Sequence, residues 1–199
     1  MCEKIRSLKV DRLKDVVKIG YRVLKFTKWD ELLNNVTYQR TNEECLKFVG
    51  CGNVEPYFIN WDTELRLAGR SFKNTYIKKP SQVDESKWKL LQLPKILIRE
   101  VGLQLTAAFD EEGEYGNITG VYALYDMKPD WEPRFILALL NSSLLDFYYK
   151  SLYGSAHMAG GYLNFHGSYI ENLPMSKVSF SQQKRIADIV HRLGLLMKA

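Results

Sequence analysis

The chain reads as an α+β fold, with a β-rich, mostly antiparallel portion over about residues 1–128 followed by packed helices over about 129–199. Residues 47–61 and 94–126 carry β-branched and aromatic side chains at short spacing. They are punctuated by Gly50, Gly52, Gly102, Gly113, Gly116 and Gly120, which is strand and turn chemistry. The last third instead repeats apolar residues at helical spacing. With 199 residues, 46% hydrophobic and 13% aromatic, the chain can bury a sizeable core as one domain.

Residues 8–23 are strand-like around Val16, Val17 and Ile19, and residues 29–33 suggest a short helical turn. Lys95–Arg99 is an apolar strand whose alternation puts Lys95, Leu97 and Arg99 on one face. Residues 110–114 form a polar turn, so 103–109 and 115–124 are expected to pair antiparallel with the acidic cluster at the hairpin tip. Asp130 followed by Pro133 reads as an N-cap with proline in the first turn of a helix. That helix places Ile136, Leu139, Leu140, Leu144 and Phe147 on one core-facing stripe. Gly154, Gly160, Gly161 and Gly167 mark a loop region. Ser181, Gln182 and Gln183 open a second helix with Ile186, Ile189, Val190 and Leu193 on one side.

The formal charge of +5 permits an anionic partner, and its distribution is polarised. Residues 1–29 hold nine Lys or Arg against three acids, whereas residues 100–132 hold eight acids against Lys128 alone. Cys2, Cys45 and Cys51 are odd in number and lack CxxC spacing; with His157, His166 and His191 they build no recognisable zinc site and read as reduced cytosolic thiols. No apolar run approaches the roughly 18 residues that span a bilayer, so the expectation is a cytoplasmic protein without a membrane partner. Neither the Gly-rich turn that holds a methyl-donor cofactor nor a Pro-rich loop that grips a flipped base is present. Asn172-Leu173-Pro174-Met175 lacks the second proline and the aromatic of such a loop. Glu85-Ser86-Lys87 has the Glu-x-Lys form of metal-dependent nucleases, but Pro129-Asp130 lies downstream of it rather than upstream. No catalytic residue and no cofactor of its own are therefore assigned to the chain.

Three groups are candidate binding residues. Arg66, Arg70, Lys73, Lys78 and Lys79 cluster around Phe72 and Tyr76, the basic and aromatic interleaving of a nucleic-acid surface; a plain solvated face is the competing explanation. Lys95 and Arg99 could face phosphates, or could snorkel over sheet edges or pair with Glu100 or the acidic turn; Arg99 has the planar fork suited to guanine edges or phosphate. The loop 153–168 offers His157, Asn164 and His166 on a glycine-hinged segment suited to groove insertion, or to packing on the preceding helix. Tyr148 and Tyr149 read as core and rim.

The order of these segments carries a resemblance. Phe48 to Val54 runs into Tyr57, Phe58, Ile59, Asn60 and Trp61. Lys95–Arg99 is followed by Gly102, Phe109, Asp110, Tyr115 and Asn117. The helix over 135–150 precedes Gly160-Gly161, Phe165 and the run from Tyr169 to Pro174. Over residues 45–190 this resembles the TaqI-like C-terminal specificity domain of restriction-modification DNA methyltransferases. The Leu173-Pro174 step before Gln183-Lys184-Arg185-Ile186 is similar to type I specificity subunits. The resemblance implies a single target recognition domain over 1–199 that binds double-stranded DNA. It also implies a linked or partner methyltransferase domain holding S-adenosylmethionine, with or without an attached nuclease. The alternative is a protein-interaction module in which the basic cluster is incidental and the second helix or the acidic turn meets another subunit.

Overall fold

The computed structural model describes residues 10–20, 34–41, 44–67, 69–81, 83–117, 120–154 and 159–198. β1 (Asp11–Arg12), α1 (Leu13–Val16) and β2 (Lys18–Gly20) come first. β3 (Val36–Thr37), β4 (Cys45–Val49), β5 (Val54–Glu55), β6 (Phe58–Ile59), β7 (Leu65–Leu67), β8 (Arg70–Phe72) and β9 (Tyr76–Lys78) precede α2 (Glu85–Leu91). Next come β10 (Lys95–Arg99), β11 (Val101–Gly102), β12 (Ala107–Asp110), β13 (Tyr115–Asn117) and β14 (Val121–Tyr125). The chain then runs through α3 (Pro133–Leu140), α4 (Ser143–Tyr153), β15 (Leu163–Asn164), α5 (Gly167–Ile170), β16 (Pro174–Met175) and α6 (Phe180–Lys198). The fold is α+β, as the sequence predicts.

Two four-stranded sheets form its middle. The first, in the order β12-β10-β14-β2, is antiparallel throughout, with Leu97 opposite both Ala108 and Ala123. The second, in the order β13-β4-β9-β3, is antiparallel except for the parallel pairing of β13 with β4. Strand alternation sorts the core into three layers. Ile96 and Ile98 face the helices and join Leu105, Tyr122, Leu124, Phe135, Ile136, Leu140 and Phe165. On the opposite face Leu97, Ala108, Val121 and Ala123 meet Val49 of the second sheet and Val54 and Ile59 of the β5–β6 hairpin. Leu46, Phe48 and Ile77 point away from the first sheet onto Phe72, Trp88 and Leu91. β10 reads as an unbroken apolar run because both of its faces are covered.

Several local expectations change. Residues 103–109 and 115–124 do not form a hairpin: β12 and β14 flank β10 on opposite sides, and β13 leaves for the other sheet. The polar turn between them is not a solvated tip. Asp110 is buried and accepts the backbone N–H groups of Glu114 (3.0 Å) and Tyr115 (3.1 Å). Gly113, at φ +67°, lies so near the Gln92 carbonyl that a Cβ would fall 2.0 Å from its oxygen. Glu111 pairs with Arg134 and Glu114 with Lys47. These contacts fold the turn back onto the domain.

The expected single helix from residue 132 to 150 is two. Asn141 ends α3 and exchanges two 2.9 Å bonds with the backbone of Ala107, continuing the pairing of the β12 edge with a side chain. Ser142 then caps α4 through Leu145 N (3.2 Å). The turn of phase exposes Leu144 and Phe147, which the continuous stripe places in the core. The α3 cap is Glu132 rather than Asp130: its carboxylate accepts from Phe135 N at 2.8 Å, whereas Asp130 pairs with Lys177. On α6 the buried face is Gln183, Ala187 and Val190, and Ile189 and Leu193 are exposed. Gln183 is fixed by bonds to the backbones of Glu132, Asp130 and Val178. Residues 13–16, read as part of a strand, are helical, and Leu13 and Val16 bury into the core below Leu173 and Met175. The helical turn expected over residues 29–33 lies outside the described residues.

Candidate nucleic-acid interface

β7 and β8 form a two-stranded ribbon paired Leu65–Phe72, Arg66–Ser71 and Leu67–Arg70. Alternation puts Leu65, Leu67, Arg70 and Phe72 on one face, Arg66 and Ser71 on the other. The apolar residues root the ribbon: Phe72 is buried edge-on to Phe48 at 5.8 Å, and Leu65 and Leu67 pack on the same cluster. Arg66, Arg70 and Lys73 stay exposed beyond that root. The Arg66 side chain is 83% exposed, with Glu64 3.7 Å away, a contact weak enough in water to be surrendered to a phosphate. Of the cations that the sequence clusters around Phe72 and Tyr76, Arg66, Arg70 and Lys73 lie together, on a ribbon with guanidinium groups on both faces rather than on one flat patch.

The other candidates are distributed differently. Lys78 is half-buried on the second sheet opposite Cys45, and Lys79 pairs with Glu85 beside α2. Lys95 is fully buried: its ammonium donates to the Leu91 carbonyl (2.5 Å) and to Asp110. It cannot reach a phosphate. Alternation did place Lys95, Leu97 and Arg99 on one face, but that face is covered by the second sheet and the β5–β6 hairpin, a contact that no local pattern announces. Arg99 also turns inward, with its Nε donating to the Val54 carbonyl and its Nη2 2.8 Å from Glu55. Its fork is spent on holding β5. Lys95 pairs with Asp110 of the acidic turn, one of the expected internal partners, whereas Arg99 pairs with Glu55 rather than with Glu100 or that turn.

The residues after α4 make a third surface. Tyr149 is buried; its hydroxyl donates to the Asn164 carbonyl and accepts from His166 N–H, each at 3.1 Å. Burial holds that phenol well above its ordinary pKa, so it remains a hydrogen-bond donor at any physiological pH. Tyr153 and Tyr169 stack at 4.0 Å, and Tyr149 leans on Phe165 at 4.9 Å. Above this aromatic floor His166 is exposed, with its ring edge toward Tyr169, while Asn164 is half-buried in the short pairing with Val101. His157 lies outside the described residues.

Two groups escaped sequence reasoning. Lys47 sits 5.3 Å from the Tyr115 ring centroid and 5.7 Å from that of Trp61, and pairs with Glu114 at 2.6 Å. Asn53 is buried among the loops at the root of the ribbon. The one signal for Lys47 is a charge at the centre of the apolar strand Cys45–Val49; Asn53 resembles any polar residue of a glycine-rich turn.

The description of the TaqI-like C-terminal specificity domain matches residues 48–175. The chain belongs to that family. Among solved structures, the HsdS subunit from Thermoanaerobacter tengcongensis superimposes with a TM-score of 0.53 at 14% identity. The match covers 96% of this chain and 39% of that one, so the chain spans about two fifths of that subunit's length and the likeness is one of fold. No curated protein sequence matches the chain. Among the described residues no helix is long and apolar enough to cross a membrane, and no His, Cys, Asp and Glu cluster could hold a metal ion.

Proposed function

We propose that this domain reads duplex DNA on behalf of a restriction-modification methyltransferase. The observation that carries the proposal is the β7–β8 ribbon. The major groove of B-DNA admits a two-stranded ribbon, and arginine binds guanine edges or phosphate bidentately. A ribbon with Arg66 on one face, Arg70 on the other and Lys73 at its base meets a groove wall on either side. Lys78 and Lys79 supply longer-range attraction, and His166 and Asn164 form the second reading surface. Lys95 and Arg99 drop out of the contact set, being occupied internally. Methyl transfer, with its S-adenosylmethionine, belongs to a linked or partner domain in this proposal, and the present chain contributes target choice alone.

Titration of mixed-sequence duplex DNA over a salt series tests it. Affinity should fall linearly on a log–log plot, with a slope of about −0.9 for each phosphate neutralised. Salt-independent binding, or none at low salt, would refute it. A second reading rests on α6, which exposes Ile189, Leu193, Leu195, Leu196 and Met197. These suit an apolar protein partner, whose affinity scarcely responds to salt.

A further inference from the structure

The ribbon is not hung on a free loop. Residues 50–64 lead into it, and they are fastened at one buried amide. Asn53, 2% exposed, accepts Gly50 N–H on Oδ1 (2.9 Å) and donates through Nδ2 to the carbonyls of Asn60 (3.0 Å) and Thr63 (2.9 Å). Its backbone joins in: Asn53 N–H donates to the Gly50 carbonyl at 3.1 Å, and Asn60 N–H to the Asn53 carbonyl at 2.8 Å. Between those points Trp61 donates its indole N–H to the Thr75 carbonyl at 3.2 Å. Gly50 supplies the other half of the joint. A Cβ there would lie 2.6 Å from one methyl of Leu65 and 3.2 Å from the other, so the first residue of the ribbon seats against a bare backbone.

From this we infer that Asn53 and Gly50 are positioning residues that set where Arg66 and Arg70 meet DNA. The inference rests on the ribbon being the DNA-reading element. Both donors and one acceptor lone pair of the amide are used: the acceptor bond to Gly50 N–H closes the turn at 50–53, and both donor bonds cross from that turn to the segment that feeds β7. Glu64 alone separates Thr63 from the ribbon, too short a link for an independent hinge. Arg66 and Arg70 are therefore held in one orientation before DNA arrives, which reduces the ordering cost of binding and turns a basic ribbon from an attractive surface into a registered one.

A double-mutant cycle in the full chain tests this, with mixed-sequence duplex DNA as the probe and the melting temperature of every variant recorded. In the native background Arg70→Ala should weaken binding by about tenfold. In the Asn53→Ala background, and independently in Gly50→Val, which keeps the amide but displaces Leu65, the same Arg70→Ala change should cost less than about twofold. The salt slope should shrink in both. A purely structural role would lower the melting temperature while leaving the Arg70→Ala penalty and the slope intact, and that outcome overturns the inference. Should Asn53→Ala not fold, the Gly50→Val cycle decides alone. If Arg70→Ala has no effect in the native background, the ribbon reading fails and the inference falls with it; a full penalty in all backgrounds sinks only the inference.

Discussion

Replacing Lys95 with methionine separates the buried role of this lysine from the phosphate contact its sequence suggests. The ammonium and the Asp110 carboxylate are 0% and 1% exposed. Burial pulls the lysine below its ordinary pKa, while Asp110 opposes that pull. Methionine fills the stem's volume, so the cost is electrostatic and polar rather than a cavity. Asp110 keeps the N–H groups of Glu114 and Tyr115 but loses its counter-charge, and the Leu91 carbonyl loses its 2.5 Å donor. Removing one partner of a buried ion pair costs about 3–5 kcal/mol. Set against a total of about 5–15 kcal/mol for a domain, that is a large fraction. At about 2–4 °C per kcal/mol for a chain of this length, the melting temperature should drop by roughly 6–20 °C. Urea unfolding followed by tryptophan fluorescence reads the loss. DNA titration below the new melting temperature should give an unchanged salt slope. A stability change below about 1 kcal/mol, the range of an exposed pair, together with a slope reduced by about one phosphate, would refute the buried placement.

The exposed cations should behave differently from one another. Arg70→Ala should cost about 1–3 kcal/mol of DNA binding, whereas Lys73→Ala should cost less and lower the salt slope by about one, with neither altering the melting temperature appreciably; equal, negligible effects would move the interface to the surface around His166. At high pH the Tyr115 phenol matters. Burial foremost, with Asp110, Glu114 and Asp62 adding, pushes it from 10.0 up to about 12. The folded chain therefore keeps a proton that the unfolded chain releases, and stability should fall as pH rises through that interval. Tyr115→Phe should show a shallower decline in pH-dependent urea melts; an identical decline would count against it. Cys51 donates its thiol to the Val101 carbonyl at 3.0 Å, and burial pushes its pKa up. Iodoacetamide at mildly alkaline pH should label it far more slowly than a free peptide thiol, and mass spectrometry showing equal rates would contradict that environment.

Signals that act within a few residues were legible. Pro133 and the apolar spacing after it gave α3, the alternating and then continuous apolar run gave β10, and the order of motifs gave the family. Partner choice was not legible. Residues 107–110 and 121–125 both favour extended structure, but nothing in either says that β10 lies between them, or that residue 115 crosses to a parallel neighbour in another sheet. The break at Asn141-Ser142 was written in the sequence as a polar pair. It was outweighed by leucines at helical spacing, and beyond it Leu144 and Phe147 face water. Lys95 shows the same limit from the other side: its face was inferred correctly, and what covers that face was not. The exposed arginines of the ribbon were recognisable as candidates because exposure is the default for charge. The amide that holds the ribbon was not, because a buried asparagine is defined by three carbonyl and amide partners that only the fold assembles.

The pairing of β1 with β16 joins Arg12 to Pro174 and Asp11 to Met175. On a ribosome adding about 5–20 residues per second, the partner strand emerges on the order of ten seconds after the first. Throughout that interval Leu13, Val16 and Val17, which end up in the core beneath Leu173 and Met175, have nothing to bury against at that seam. Until residues 173–175 follow, a nascent chain thus leaves this small apolar cluster uncovered on that side. Closure of the domain at this seam waits on its last-made strand, so the two ends of the domain are locked together in one step.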